Sequence, residues 1–202
     1  ITDASVVVRD DEGTVYSFVH NPRNHADSSG IYVPATPFAG QTGRTYTLTV
    51  TVDGDEYSAT DRLLSVIPID SLQYRVNPFQ QDNPQRQEKI YEILMFAREP
   101  QDDDNYYLFH FYRNDSLTFY NDTDIYYTDD AFLAEQIDGV PSPLYFATGD
   151  VGRVEVFSLS RTAYVYFNDL WALLNNDGGG MFGPIPSSPR TNLTNGALGF
   201  FL

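Results

Sequence analysis

Between Tyr46 and Val52 the chain alternates without a fault: Tyr46, Leu48, Val50 and Val52 fall on one side, Thr47, Thr49 and Thr51 on the other. A period of two built from β-branched residues predicts a strand with one buried face and one wet face. Asp53-Gly54 supplies a two-residue turn of the primed kind, and Glu56 to Leu63 pairs back. A second hairpin is predicted upstream, from Ala4–Arg9 through a turn at Asp10–Gly13 to Thr14–His20. Gly30–Val33 reads as a short strand broken by Pro34 and Pro37. Residues 1–66 are therefore expected to form a small antiparallel sandwich.

Ile67-Pro68-Ile69-Asp70 reads as a joint, because proline disfavours both helix and central strand. The second unit, 67–202, is expected to be β-rich, with strands at Ser71–Val76, Lys89–Ala97, Asn105–Arg113 and Arg153–Leu159, and a weaker one at Ser116–Tyr120. Asn77–Gln87, rich in Gln, Asn and Pro, reads as a loop or lid. Two short helices are expected: one capped at Asp129-Asp130 and running to Gln136, the other capped by Ser160 and running to Asn175. In the latter, Tyr164, Phe167, Trp171 and Leu174 recur at spacings of three and four, which predicts a stripe buried in the core.

The composition agrees with an all-β-dominated fold, since fifteen Tyr and fourteen Phe in 202 residues suit pleated, half-buried surfaces. A formal charge of −16 repels phosphate backbones and anionic lipid heads, so nucleic acid is not an expected partner. The chain has no Cys, which excludes disulfides and thiolate chemistry. No apolar run approaches the roughly 20 residues of a membrane-spanning helix.

Catalytic signatures are missing from the sequence. There is no G-x-S-x-G, no H-E-x-x-H and no phosphate-binding loop, and Gly178–Gly180 runs into Met181-Phe182-Gly183-Pro184 rather than a helix. His20 and His25 flank one loop without an apparent third ligand. Asn121-Asp122-Thr123-Asp124 offers hard oxygen ligands but lacks the Gly and distal Glu of an EF-hand, so Asp122 and Asp124 are a weak calcium candidate beside the plainer reading of an Asx-rich turn. No cofactor is expected. Asn105–Arg113 carries aromatics on both faces, Tyr107, Phe109 and Phe111 against Tyr106, His110 and Tyr112. Either both faces are covered or one recognises a partner. The expected contact surface combines Tyr106, His110 and Tyr112 with Tyr120 and Tyr126 and the loop Asn77–Gln87.

Several segments in order resemble one family: Gly43–Val50 with Asp53-Gly54 and Tyr57–Thr60, then Pro68–Leu72, Asn105–Tyr107 with Tyr112–Asn114, and Asn192–Phe201. They are similar to the Bacteroidota lipoprotein family known as the domain-of-unknown-function family numbered four-two-four-nine. The resemblance implies an immunoglobulin-like or transthyretin-like first domain and a second β-rich part. It also implies a non-catalytic outer-membrane lipoprotein, with a SusC-like barrel and a SusD-like lipoprotein as partners in nutrient uptake. A lipid-carrying Cys and a first strand are then expected before Ile1, with a little more chain after Leu202. The alternatives are a free-standing carbohydrate- or peptide-binding module and, less favoured, a hydrolase using a carboxylate pair.

Overall fold

The computed structural model of the protein describes residues 1–20, 30–82, 89–100, 104–130, 136–175 and 187–202. Among these residues the fold is dominated by antiparallel strands, with two short helices. It divides into two compact units, Ile1–Ser65 with Pro189–Leu202, and Val66–Ser188. The C-terminal segment, expected with the second unit, thus belongs to the first.

In the first unit, β1 (Ser5–Asp10), β2 (Val15–His20), β3 (Tyr32–Pro34), β4 (Thr45–Val52) and β5 (Asp55–Arg62) form one antiparallel sheet in the order β3-β2-β1-β4-β5. Its register places Tyr16, Val8, Leu48 and Ala59 in one row, and Phe18, Val6, Val50 and Tyr57 in the next. Residues directly opposite in an antiparallel pair share a face, so the apolar side of β4 is the one its alternation predicts. The turn beyond β4 is also as predicted: Asp53 and Gly54 both have positive φ, 53° and 90°, as a primed turn requires.

The chain end finishes this sheet. Among the described residues β5 has no strand on its far side, and the backbone groups at Glu56, Ser58 and Thr60 are met there by Asn195, Thr194 and Asn192. The Thr194 N–H donates to the Ser58 carbonyl at 2.9 Å, while Thr194 Oγ1 accepts from the Ser58 N–H at 2.9 Å. Side chains of a turn-forming Asn-Leu-Thr-Asn run thus replace a missing strand.

The second unit is two sheets face to face. One contains β6 (Ile69–Val76), β7 (Tyr91–Arg98) and β11 (Gln136–Pro141) in the order β11-β7-β6. The other has the order β10-β8-β12, from β8 (Tyr106–Arg113), β10 (Tyr127–Asp129) and β12 (Gly152–Leu159), with the two-residue β9 (Ser116–Leu117) also on β8. Between them lies an apolar core that includes Met95 and Ala97 of β7, Ile137 of β11, Tyr107 and Phe111 of β8, and Val154 of β12.

Three expectations for this unit need correction. The helix expected from Asp129 to Gln136 has strands at its ends: Asp129 closes β10 and Gln136 opens β11, while 131–135 lie outside the described residues. Asn77, expected to open a loop, caps a one-turn helix, α1 (Pro78–Gln81), by accepting the Gln80 N–H; 83–88 lie outside the described residues. The third concerns α2 (Arg161–Leu174). Ser160 caps it through the Ala163 N–H at 3.2 Å and Asn175 ends it, as predicted, but Trp171 is 45% exposed rather than in the core, and Leu174 is exposed with it. Only Ala163 of the helix is fully buried. The first turns lie on the outer face of the β10-β8-β12 sheet, whereas the last reaches the turn at Asn121–Asp124, where Thr123 Oγ1 donates to Asn175 Oδ1 at 3.3 Å. Helical periodicity shows which residues share a side, but not how far the supporting sheet extends.

Candidate functional site

Alternation along β8 sends Tyr107, Phe109 and Phe111 into the sandwich and Tyr106, Leu108, His110 and Tyr112 outward. Helix α2 covers the first part of the outward row. The Tyr106 and Tyr164 rings lie 4.8 Å apart, the Tyr164 hydroxyl donates to Asp129 at 3.1 Å, and the Tyr127 hydroxyl donates to Asn168 at 3.2 Å. Burial and then the Asp129 carboxylate push the Tyr164 phenol up to about 12. Beyond the helix, His110 packs edge-on against Phe157, with ring centroids 4.9 Å apart. Burial lowers the His110 pKa, partly offset by Glu155. Tyr112 donates to Glu155 at 2.9 Å, and the Arg153 guanidinium lies 3.7 Å from its ring centroid while pairing with the same Glu155.

The five expected contact residues do not assemble into one surface. Tyr126 is on the opposite side, packed against the core cluster and edge-on to Phe111 at 5.4 Å. Its hydroxyl donates to Asp124 at 3.2 Å and accepts the N–H of the exposed Tyr120 at 2.8 Å. Asp124 also accepts the Asn121 N–H at 2.9 Å, so its carboxylate closes the turn from both directions. Among the described residues no three His, Cys, Asp or Glu side chains gather as a metal would require.

What the sequence did not reveal is that, among the described residues, the sandwich is open along both sides. Between the β10 and β11 edges lies a cleft of about 360 Å3, lined chiefly by apolar side chains such as Met95, Phe109, Ile125 and Val140. Its polar groups are already engaged: Ser142 Oγ accepts the Ile93 N–H and donates to the Leu144 carbonyl, and Tyr126 and Tyr127 are bonded as above. Among the described residues no acid or histidine lines it. Such a space accepts an apolar group and offers it no general acid or base.

Along the other side, β6 and the segment Phe146–Gly152 frame a second cleft of about 360 Å3. Leu72, Tyr74, Tyr91 and Ile93 line it together with Glu92 and Asp150. Tyr74 stands 76% exposed at its rim, its ring edge-on to Tyr91 at 5.9 Å. The two carboxylates are structural. Glu92, buried, accepts from Arg75 Nε through one oxygen and from Asn77 Nδ2 at 2.6 Å through the other. Asp150 accepts the Ala147 N–H and Asn114 Nδ2, each at 2.8 Å, and these bonds hold it below the usual carboxylate range. A signal for this cleft did exist, since Leu72, Tyr74 and Val76 alternate along β6 with an apolar face that nothing in the sequence pairs.

Neither the curated proteins nor the solved structures contain a significant match to the chain. Kinship therefore rests on the sequence pattern that produces these two units. The family model for the Domain of unknown function (DUF4249) matches residues 1–202, and the chain belongs to that family.

Proposed function

We propose that this chain is the non-catalytic, ligand- or partner-binding part of a surface lipoprotein, serving a SusCD-like nutrient-uptake complex at the outer membrane of a Bacteroidota cell. The observation that carries the binding half of this reading is the state of the polar groups in the two clefts. In the first, Ser142, Tyr126 and Tyr127 are held by neighbours in the fold, and in the second the carboxylates of Glu92 and Asp150 are. A glycoside hydrolase needs one carboxyl raised to donate a proton at neutral pH and a second free to act on substrate. Asp150 is shifted in the other direction, and both Glu92 oxygens are occupied. Family membership motivates the outer-membrane half.

The test is to express the full-length lipidated protein in its native host, solubilise the outer membrane and identify what co-purifies. Recovery with a SusC-like barrel and a SusD-like lipoprotein is the expected result. Repeated recovery without either removes the uptake role. One observation favours the second reading, a free-standing binding module: Tyr74 lines a cleft while largely exposed, which leaves its ring available for stacking on a sugar or a peptide side chain.

A further inference from the structure

We propose that the outer edge of β6 is a docking strand, and that its occupant is an extended basic peptide that adds to the sheet beside Leu72–Val76 and places alternate side chains in the neighbouring cleft. The inference rests on the binding reading above and names the ligand class.

Open strand edges invite pairing with other chains, and folds usually blunt them. Here β5 is capped by the C-terminal segment. β3 and β10 have three residues each, and β3 ends in Pro34. β11 carries a register shift between Asp138 and Val140 and ends at Pro141. β12 also has a regular register along its edge, but of its residues only Gly152 lines the cleft on that side. Among the described residues, β6 has none of these devices over Leu72–Val76. Its register with β7 is regular there, and Leu72 through Arg75 are all exposed.

The direction of the backbone follows from one hydrogen bond. The Asn77 N–H donates to the Ile90 carbonyl at 2.8 Å, so by alternation Arg75 and Gln73 also turn their backbone groups toward β7. Leu72, Tyr74 and Val76 then present theirs outward. Their side chains lie on the face shared with Met95, Ile93 and Tyr91, which puts Leu72 and Tyr74 at the cleft. A row of unpaired donors and acceptors at strand spacing is matched by another strand, and pockets for every second side chain accompany such docking.

Charge selects the occupant. The chain carries −16, and the Arg75 charge at the edge is matched by Glu92. A second copy of the chain would bring a like charge to the edge, while a basic peptide is drawn to it.

The probe is a capped, fluorescein-labelled heptapeptide alternating lysine with valine and phenylalanine, titrated into the full chain by fluorescence anisotropy. Its counterpart, with glutamate in place of lysine, is expected to bind at least about tenfold more weakly. Tyr74→Pro removes an outward N–H without removing a bond to β7, and proline is tolerated on an edge. It should weaken binding by about tenfold or more while the melting transition is kept; Tyr74→Ala, which loses only the ring, should weaken it less. N-methylation of alternate peptide amides needs no variant of the protein and should have the same effect as the proline. Hydrogen exchange should slow at the Leu72 and Tyr74 amides when the peptide is added. Unchanged binding of the N-methylated peptide, protection at another edge, or protection that grows with protein concentration as the chain dimerises would each overturn the proposal. If no peptide binds while the lipidated protein still co-purifies with its barrel, the docking strand fails and the uptake reading stands; the converse pair of results does the opposite.

Discussion

Gly152 opens β12 opposite Arg113, and its neighbour across the sandwich is Ile93, whose side chain lines both clefts. A Cβ added at Gly152 would overlap Ile93 Cδ1 and lie 3.1 Å from Phe146 Cε1, against the roughly 3.5–4.0 Å at which carbons attract. Gly152→Ala therefore forces the Ile93 tip out of its place. An off-rotamer side chain costs about 0.5–1.5 kcal/mol, and overpacking of this kind totals about 1–3 kcal/mol. Ile93→Val removes the very methyl that is struck, and alone it should cost about 0.5 kcal/mol, the low end for a residue that is only half-buried. In the double variant the overlap with Cδ1 disappears and only the tight approach to Phe146 is left. The double variant should then be more stable than the sum of the single costs predicts, by about 1 kcal/mol. Trp171, the single tryptophan, sits on the second unit's helix, so its emission during urea unfolding follows the unit concerned. Strictly additive costs, or an unchanged midpoint for Gly152→Ala, would show that the cleft wall at Ile93 is not packed as described.

The same tryptophan should be readily quenched by acrylamide and emit at long wavelength, because it is nearly half exposed; blue-shifted, protected emission would return the stripe to a core. Burial works to raise the Asp10 carboxyl, but the Thr14 and Glu12 N–H groups and the Tyr16 hydroxyl outweigh it and hold it below the ordinary 3.8. Its stabilisation is thus present above that value and lost as pH falls through the lower folded value, and Asp10→Asn should shrink the acid limb of the first unit's pH–stability curve. Glu99, 1% exposed and bonded to the Tyr107 hydroxyl at 3.0 Å, is shifted the other way, raised above 4.5 chiefly by burial. Its contribution is full below 4.5 and lost as pH rises through the folded value, so Glu99→Gln should flatten that slope; an unaltered slope would place the ionisation elsewhere.

What was legible in the sequence was local. The alternation of Tyr46–Val52, the positive-φ pair Asp53-Gly54 and the Ser160 cap each involve a few consecutive residues whose chemistry admits one conformation. β11 escaped notice because Gly139 and Pro141 interrupt its alternation, and β10 because three residues carry no period. The strand with two aromatic faces posed the right alternatives, and α2 covers only part of its outer face. The clefts were out of reach for a different reason: their walls come from residues as far apart as Leu72 and Gly152, so the apolar alternation of β6 pointed to an unpartnered face without showing what stands opposite it.

The caps on β5 have a consequence for how the chain is made. Thr194 meets Ser58 from 136 positions downstream. At roughly 5–20 residues per second, ribosomal synthesis leaves that edge bare for on the order of ten seconds while the whole second unit is produced. During that interval the first unit is an incomplete sheet with a ready template for pairing, and anything that holds the chain extended until Asn192–Asn195 emerge would protect it. Segments from both sides of the second unit then close on one sheet, so the first unit is finished only after the second has been made.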